Sequence, residues 1–234
     1  MKTTIVTMII ILALTTAGYC QNKEQGESAD ASINAFKQAI EANPKFVEAH
    51  YNLGVLYDEK GMTAEAISEY TTAIEIDANF VKAYNNLSVI YYKQKQFDEA
   101  IEITKRALAI SPNYLEALYN LGIYYYEKTQ YNEAINTFKD AVKLNPKFDR
   151  GFYNLGVACA AIDATDESIS AFKRAIEINP QYSDAYYNLG VAYSKKNQLD
   201  EAIQFLKKAL EINPKDPKAH FALGIIYTTK DKAK

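Results

Sequence analysis

From Leu115 to Phe148 the apolar positions fall into two stripes. Leu118, Leu121, Gly122 and Tyr125 recur at three- and four-residue steps, one face of a helix. A polar break at Glu127 to Gln130 follows. Ala134, Ile135, Phe138, Ala141 and Val142 then make the second stripe. Asn145-Pro146 stops that helix, because the residue before a proline is pushed out of the helical region. Ala134 and Ala141 read as slots for the first helix, and Gly122 as a place where the neighbouring backbone comes close. A single hairpin cannot bury both stripes, so such pairs must stack.

The same text returns every 34 residues. Leu53, Leu87, Leu121, Leu155, Leu189 and Leu223 keep this spacing, each followed by Gly54, Ser88, Gly122, Gly156, Gly190 or Gly224. Ala39, Ala73, Ala107, Ala141, Ala175 and Ala209 follow the same clock. So do Pro44, Pro112, Pro146, Pro180 and Pro214, with Ala78 as the one substitution. A fixed period of this size is the signature of a stacked array. These residues resemble the tetratricopeptide-repeat family, over almost everything after residue 30. The resemblance implies an all-α, right-handed α-solenoid of antiparallel helix pairs. On that pattern residues 31–46 form a half repeat, 47–80, 81–114, 115–148, 149–182 and 183–216 full repeats, 217–230 a second half repeat, and 231–234 a tail. Asp30 is expected to cap the first helix.

Residues 1–20 differ in kind. Lys2, the apolar run Ile5 to Leu14 and the small residues before Gln21 read as a secretory signal. The run is short for a membrane span. Cleavage after Cys20 is the first reading, acylation of Cys20 the second and an uncleaved anchor the third. Residues 21–30 form a polar leader. The expected location is therefore exported: periplasm, cell envelope or secreted. Once residues 1–20 are removed, Cys159 is the only thiol, so no intramolecular disulfide can form. It stands where Tyr57, Tyr91, Tyr125 and Tyr193 stand, and reads as a small buried apolar residue.

With 26 basic and 29 acidic residues and no long basic run, the chain is not expected to bind nucleic acid or anionic membrane surfaces. Nothing in it makes a catalytic, metal or cofactor constellation. His50 and His220, the only histidines, lie 170 residues apart, five periods, at equivalent places in distant repeats. The glycines sit at helix packing positions and form no phosphate-binding loop. No enzyme activity is expected, and a membrane association only through a lipidated Cys20 or a retained signal. The repeat 149–182 departs from its neighbours through ACAAIDATDES, Ala158 to Ser168. It is open to two readings, a looser joint or pocket, and neutral variation.

What remains is surface. Asn52, Asn86, Asn120, Asn154 and Asn188 recur at the sixth place of each full repeat. In the family this place faces the concave groove, and the row resembles the asparagine ladder that holds an extended polypeptide in the repeat arm of O-linked N-acetylglucosamine transferase. An amide can donate and accept, so it can pair with any peptide group. Val55, Val89, Ile123, Val157, Val191 and Ile225 would add an apolar strip to that groove, and Tyr92 and Tyr126 would border it as rigid anchors. The carboxylate clamp of the family's heat-shock adaptors is not matched, because Tyr51, Asn85, Tyr119 and Tyr153 stand at its lysine places. The implied function is a non-catalytic scaffold that holds a protein or peptide ligand. Two alternatives remain. One is head-to-tail self-assembly through the complementary half repeats at the two ends; the other is service as the targeting arm of a catalytic partner.

Overall fold

The structure, a computed structural model, describes residues 29–232. It contains twelve helices and, among the described residues, no strand: α1 (Ala29–Ala42), α2 (Val47–Glu59), α3 (Thr63–Ile76), α4 (Val81–Lys93), α5 (Phe97–Ile110), α6 (Leu115–Glu127), α7 (Tyr131–Leu144), α8 (Asp149–Ala161), α9 (Thr165–Ile178), α10 (Ser183–Lys195), α11 (Leu199–Ile212) and α12 (Pro217–Lys232). They fall into two compact units, one ending at Gln96 and the other starting at Phe97. The first holds α1 to α4 and the second α5 to α12, and within each unit every helix packs on its neighbours in sequence. None of the described helices is long and apolar enough to cross a membrane. The signal and acylation readings fall on residues 1–20, outside the described residues.

Each pair is closed by two kinds of corner. Between the helices of a pair the chain turns through a left-handed residue, at Gly61 (φ 73°), Lys95 (62°), Thr129 (59°), Asp163 (58°) and Asn197 (58°). Such a φ is cheap for glycine and tolerable for Asp or Asn, but costly for a β-branched threonine. Between pairs, the Asn145 and Asn179 side chains accept the backbone N–H two residues on, at 3.0 and 3.1 Å, which turns the chain after the helix. The residue before α8 and the one before α10 are aromatic, and their rings are used for packing. Phe148 lies edge-on to Tyr119 at 5.0 Å, and Tyr182 stacks on Tyr153 at 4.8 Å.

The alanine slots are real: Ala134, Ala141, Ala175, Ala202 and Ala209 are completely buried. The glycine reading is corrected. What approaches Gly122 is not backbone but the Phe138 ring, 2.5 Å from where a Cβ would stand. Phe172 fills the space over Gly156 in the same way, at 2.6 Å. In the repeat 149–182 the core beside Gly156 is closed by Phe172 as the preceding one is by Phe138. Its one local imperfection is Ser168, completely buried at an alanine place with its hydroxyl unpartnered. Cys159 is buried as expected, and its thiol is pushed above the usual range by loss of solvent. Asp30 is not a cap; it lies in the first turn of α1 and pairs with Lys60.

Candidate peptide-binding face

The asparagine row lies on the first helices, one residue after a tyrosine in four of its five places. That neighbour explains its geometry. A residue and the one 35 positions later sit side by side on successive first helices, so the hydroxyls of Tyr51, Tyr119 and Tyr153 meet the asparagine of the next repeat, while Tyr187 has Ala222 there. In the first compact unit Asn86 Nδ2 donates to Tyr51 Oη at 3.2 Å and to Tyr70 Oη at 3.3 Å. In the second, Asn154 Nδ2 donates to Tyr119 Oη at 2.9 Å and Asn188 Nδ2 to Tyr153 Oη at 3.1 Å. Asn188 Nδ2 also donates to the Asp184 carbonyl at 3.0 Å.

The amide nitrogens of Asn86, Asn154 and Asn188 are therefore tied to the scaffold. The sequence reading of a freely donating and accepting amide is corrected to that extent. Among the described residues the Oδ1 atoms of Asn86, Asn154 and Asn188 carry no bond, and these three side chains are half-buried. Asn52 is also half-buried, whereas Asn120 is 9% exposed. The YN dipeptide at residues 51, 119, 153 and 187 carried the signal for these bonds, read with the 34-residue period.

The tyrosines respond to this setting. Burial pushes the Tyr51 hydroxyl above its ordinary pKa, against the opposing bond from Asn86. Burial does the same at Tyr119, opposed by the Arg150 charge and the Asn154 bond. Tyr153 is raised further, first by burial and then by the Asp184 carboxylate. At neutral pH all three keep their protons.

The apolar strip is divided between core and surface. Val89 is 6% and Ile123 4% exposed, so both belong to the core, while Val55, Val157 and Val191 are half-buried and Ile225 is exposed. Tyr92 and Tyr126 are half-buried. Tyr126 lies 5.3 Å from Tyr131, and its hydroxyl is raised by burial, then by Tyr131 and Glu127.

Both histidines face the carbonyl of a corner proline. His50 Nε2 faces the Pro44 carbonyl at 3.2 Å and His220 Nε2 the Pro214 carbonyl at 2.9 Å, the same corner five repeats apart. His50 Nδ1 also meets Glu69 Oε2 at 2.6 Å. Among the described residues no group of three or more His, Cys, Asp or Glu could hold a metal ion.

The family model for the C-terminal domain of cilia and flagella-associated protein 70 matches residues 11–234. No curated protein matches. Among solved structures, YrrB, described as a TPR protein with an unusual peptide-binding site, superposes with a TM-score of 0.71 at 28% identity. The match covers 81% of this chain and 98% of that one. MamA superposes at 0.67 with 30% identity, covering 71% of this chain and 97% of its own. The hetero-tetramer of Cut9 and Hcn1 gives a match at 0.67 and 23% identity, over 88% of this chain and 40% of that one, a likeness of fold alone.

Proposed function

This chain belongs to the tetratricopeptide-repeat family, a family of protein-interaction scaffolds, and on that premise we propose that it holds an extended polypeptide along the asparagines of its second compact unit without catalysing a reaction. The observation that carries this reading is the fixed amide. Asn154 Nδ2 is held by the Tyr119 hydroxyl, and Asn188 Nδ2 by the Tyr153 hydroxyl and the Asp184 carbonyl, which leaves each Oδ1 as a fixed acceptor. A row of held acceptors suits the backbone N–H groups of an extended strand, whatever its side chains. Because the receptor is already ordered, less is lost on binding. Asn120 stands one repeat earlier in the same unit, and Val157 and Tyr126 supply half-buried apolar area there. YrrB, with its described peptide-binding site, adds support from a related fold. From the reading of residues 1–20 we place the protein outside the cytoplasm, in a bacterial envelope.

The test compares a random peptide library with the same library N-methylated on its backbone. Binding is expected to be lost on methylation, and to fall at least tenfold in Asn154→Ala/Asn188→Ala. The control is Tyr119→Phe/Tyr153→Phe, which breaks the same scaffold bonds and keeps Oδ1. The phenylalanine pair, whose amides are freed but keep Oδ1, is expected to lose less than the alanine pair; undiminished binding in the alanine pair would show that the amides only brace the repeats. Undiminished binding of the methylated library would refute the ladder.

A further inference from the structure

The two outermost helices carry matching halves of one packing motif. In the complete repeats, the residue 16 positions after each glycine fills the space above it: Tyr70 over Gly54, Phe138 over Gly122, Phe172 over Gly156 and Leu206 over Gly190. At Gly224, on α12, an added Cβ would meet nothing within 4 Å. Around it lies an open cleft lined by Phe221, Gly224, Ile225, Thr228 and Thr229. The two threonine hydroxyls donate to their own helix, to the Gly224 and Ile225 carbonyls at 2.9 Å each, so they leave the cleft without an unmet donor. Phe221 is 71% and Ile225 52% exposed.

On α1 the complementary positions stand in the same register. Phe36 occupies the place of Tyr70, Phe138 and Phe172, yet it is only half-buried, and so is Ala39, whose counterparts are fully buried. Ser32 holds the place of Ala134 and Ala202, where the buried Ser168 shows that serine is accommodated. Phe46, just beyond α1, is 42% exposed and stands where Phe80, Phe148 and Tyr182 stand. Those three rings pack on the tyrosine 29 positions before them, at 5.2, 5.0 and 4.8 Å. The counterpart of that tyrosine on α12 is Phe221.

We propose that α12 of one chain takes α1 of a second chain as its second helix. Phe36 of the second chain then covers Gly224, and its Phe46 packs on Phe221. This contact continues the repeat interface already present within each compact unit, in the same register. Charge agrees with it, since α12 carries three lysines and one aspartate, and α1 two acids and one lysine. The interface is heterologous, so it propagates from chain to chain. It does not depend on the asparagine row.

The test uses the full chain and two variants, Phe221→Glu and Phe46→Glu, each at an exposed residue. Circular dichroism checks that both keep their helix content. Sedimentation equilibrium of the unchanged chain is expected to show mass rising with concentration past the dimer. Each variant alone retains one competent end and is expected to stay monomeric. Mixed one to one, they are expected to give a dimer and nothing larger, because only one pairing of ends survives. A mass that stays monomeric at every concentration would overturn the proposal. So would variants that assemble like the unchanged chain, or a mixture no heavier than its components.

Discussion

A methyl group added at Gly122 would lie 2.5 Å from the Phe138 ring, while one added at Gly224 would meet nothing within 4 Å. Gly122→Ala should therefore cost about 1–3 kcal/mol through overpacking in urea denaturation. Gly224→Ala should be neutral or gain up to about 1 kcal/mol, the helix preference of alanine over glycine. The tyrosines add a pH dependence at the same scale. Burial raises the folded-state pKa of Tyr51, Tyr119 and Tyr153 above the ordinary value. A group raised in this way contributes stability that is complete below the unfolded pKa, about 10. That contribution is lost as pH rises through the folded value. The midpoint of urea unfolding should thus hold steady to about pH 9 and fall above about pH 10. Tyrosinate absorbance should develop in two stages, the later one together with unfolding; a single stage near the ordinary tyrosine pKa would contradict this.

The helix pair is the element that the sequence specifies best, and its weak points are at corners. Thr129 is a β-branched residue held at φ 59°, at the place where the first compact unit has Gly61. Thr129→Gly should stabilise by on the order of 1 kcal/mol, measured by thermal or urea unfolding. Leu121 is a buried stripe residue, and Leu121→Ala should cost on the order of 2–5 kcal/mol. The outer edge carries a further regularity, an ion pair across 30 residues. Asp30 meets Lys60, Asp98 meets Lys128, Asp166 meets Lys196 and Asp200 meets Lys230. Where the period places Gln94 and Ile162 in the lysine series, Ala64 and Asn132 stand in the aspartate series. Both partners are thus absent together, a pattern that could have been read from the sequence. These pairs are exposed, so Asp166→Asn should change stability by no more than about 1 kcal/mol, and less in high salt. A larger loss would mean the pair has a role beyond surface electrostatics.

At the scale of the molecule, stacked repeats draw stability from their neighbours, so an outer helix is the least supported. In hydrogen exchange at low concentration, the amides of α12 should exchange faster than those of α10 and α11 in the same compact unit. At high concentration α12 should become protected if it takes a second chain's α1, and should stay fast if it does not. The half repeats at the two ends were visible in the sequence as an incomplete period. The structure added which atoms remain uncovered: the Gly224 slot on one side, and Phe36 and Phe46 on the other.

The period, the helix faces, the alanine slots and the Asn-Pro corners were determined by the sequence alone. Each follows from local rules: 3.6 residues per turn, the restricted residue before proline, and the size of a side chain at a repeated place. What occupies a contact was decided only in three dimensions. The Phe138 ring rather than backbone lies over Gly122, and Val89 and Ile123 are core rather than ligand surface. The asparagines show the difference most directly. Their spacing is plain in the sequence, but an amide has two ends, and tyrosine hydroxyls 35 residues back take the donor end. That choice depends on the distance and solvation between successive helices. No single helical pattern encodes either, so only the assembled repeats could show which end of the Asn86, Asn154 and Asn188 amides is taken.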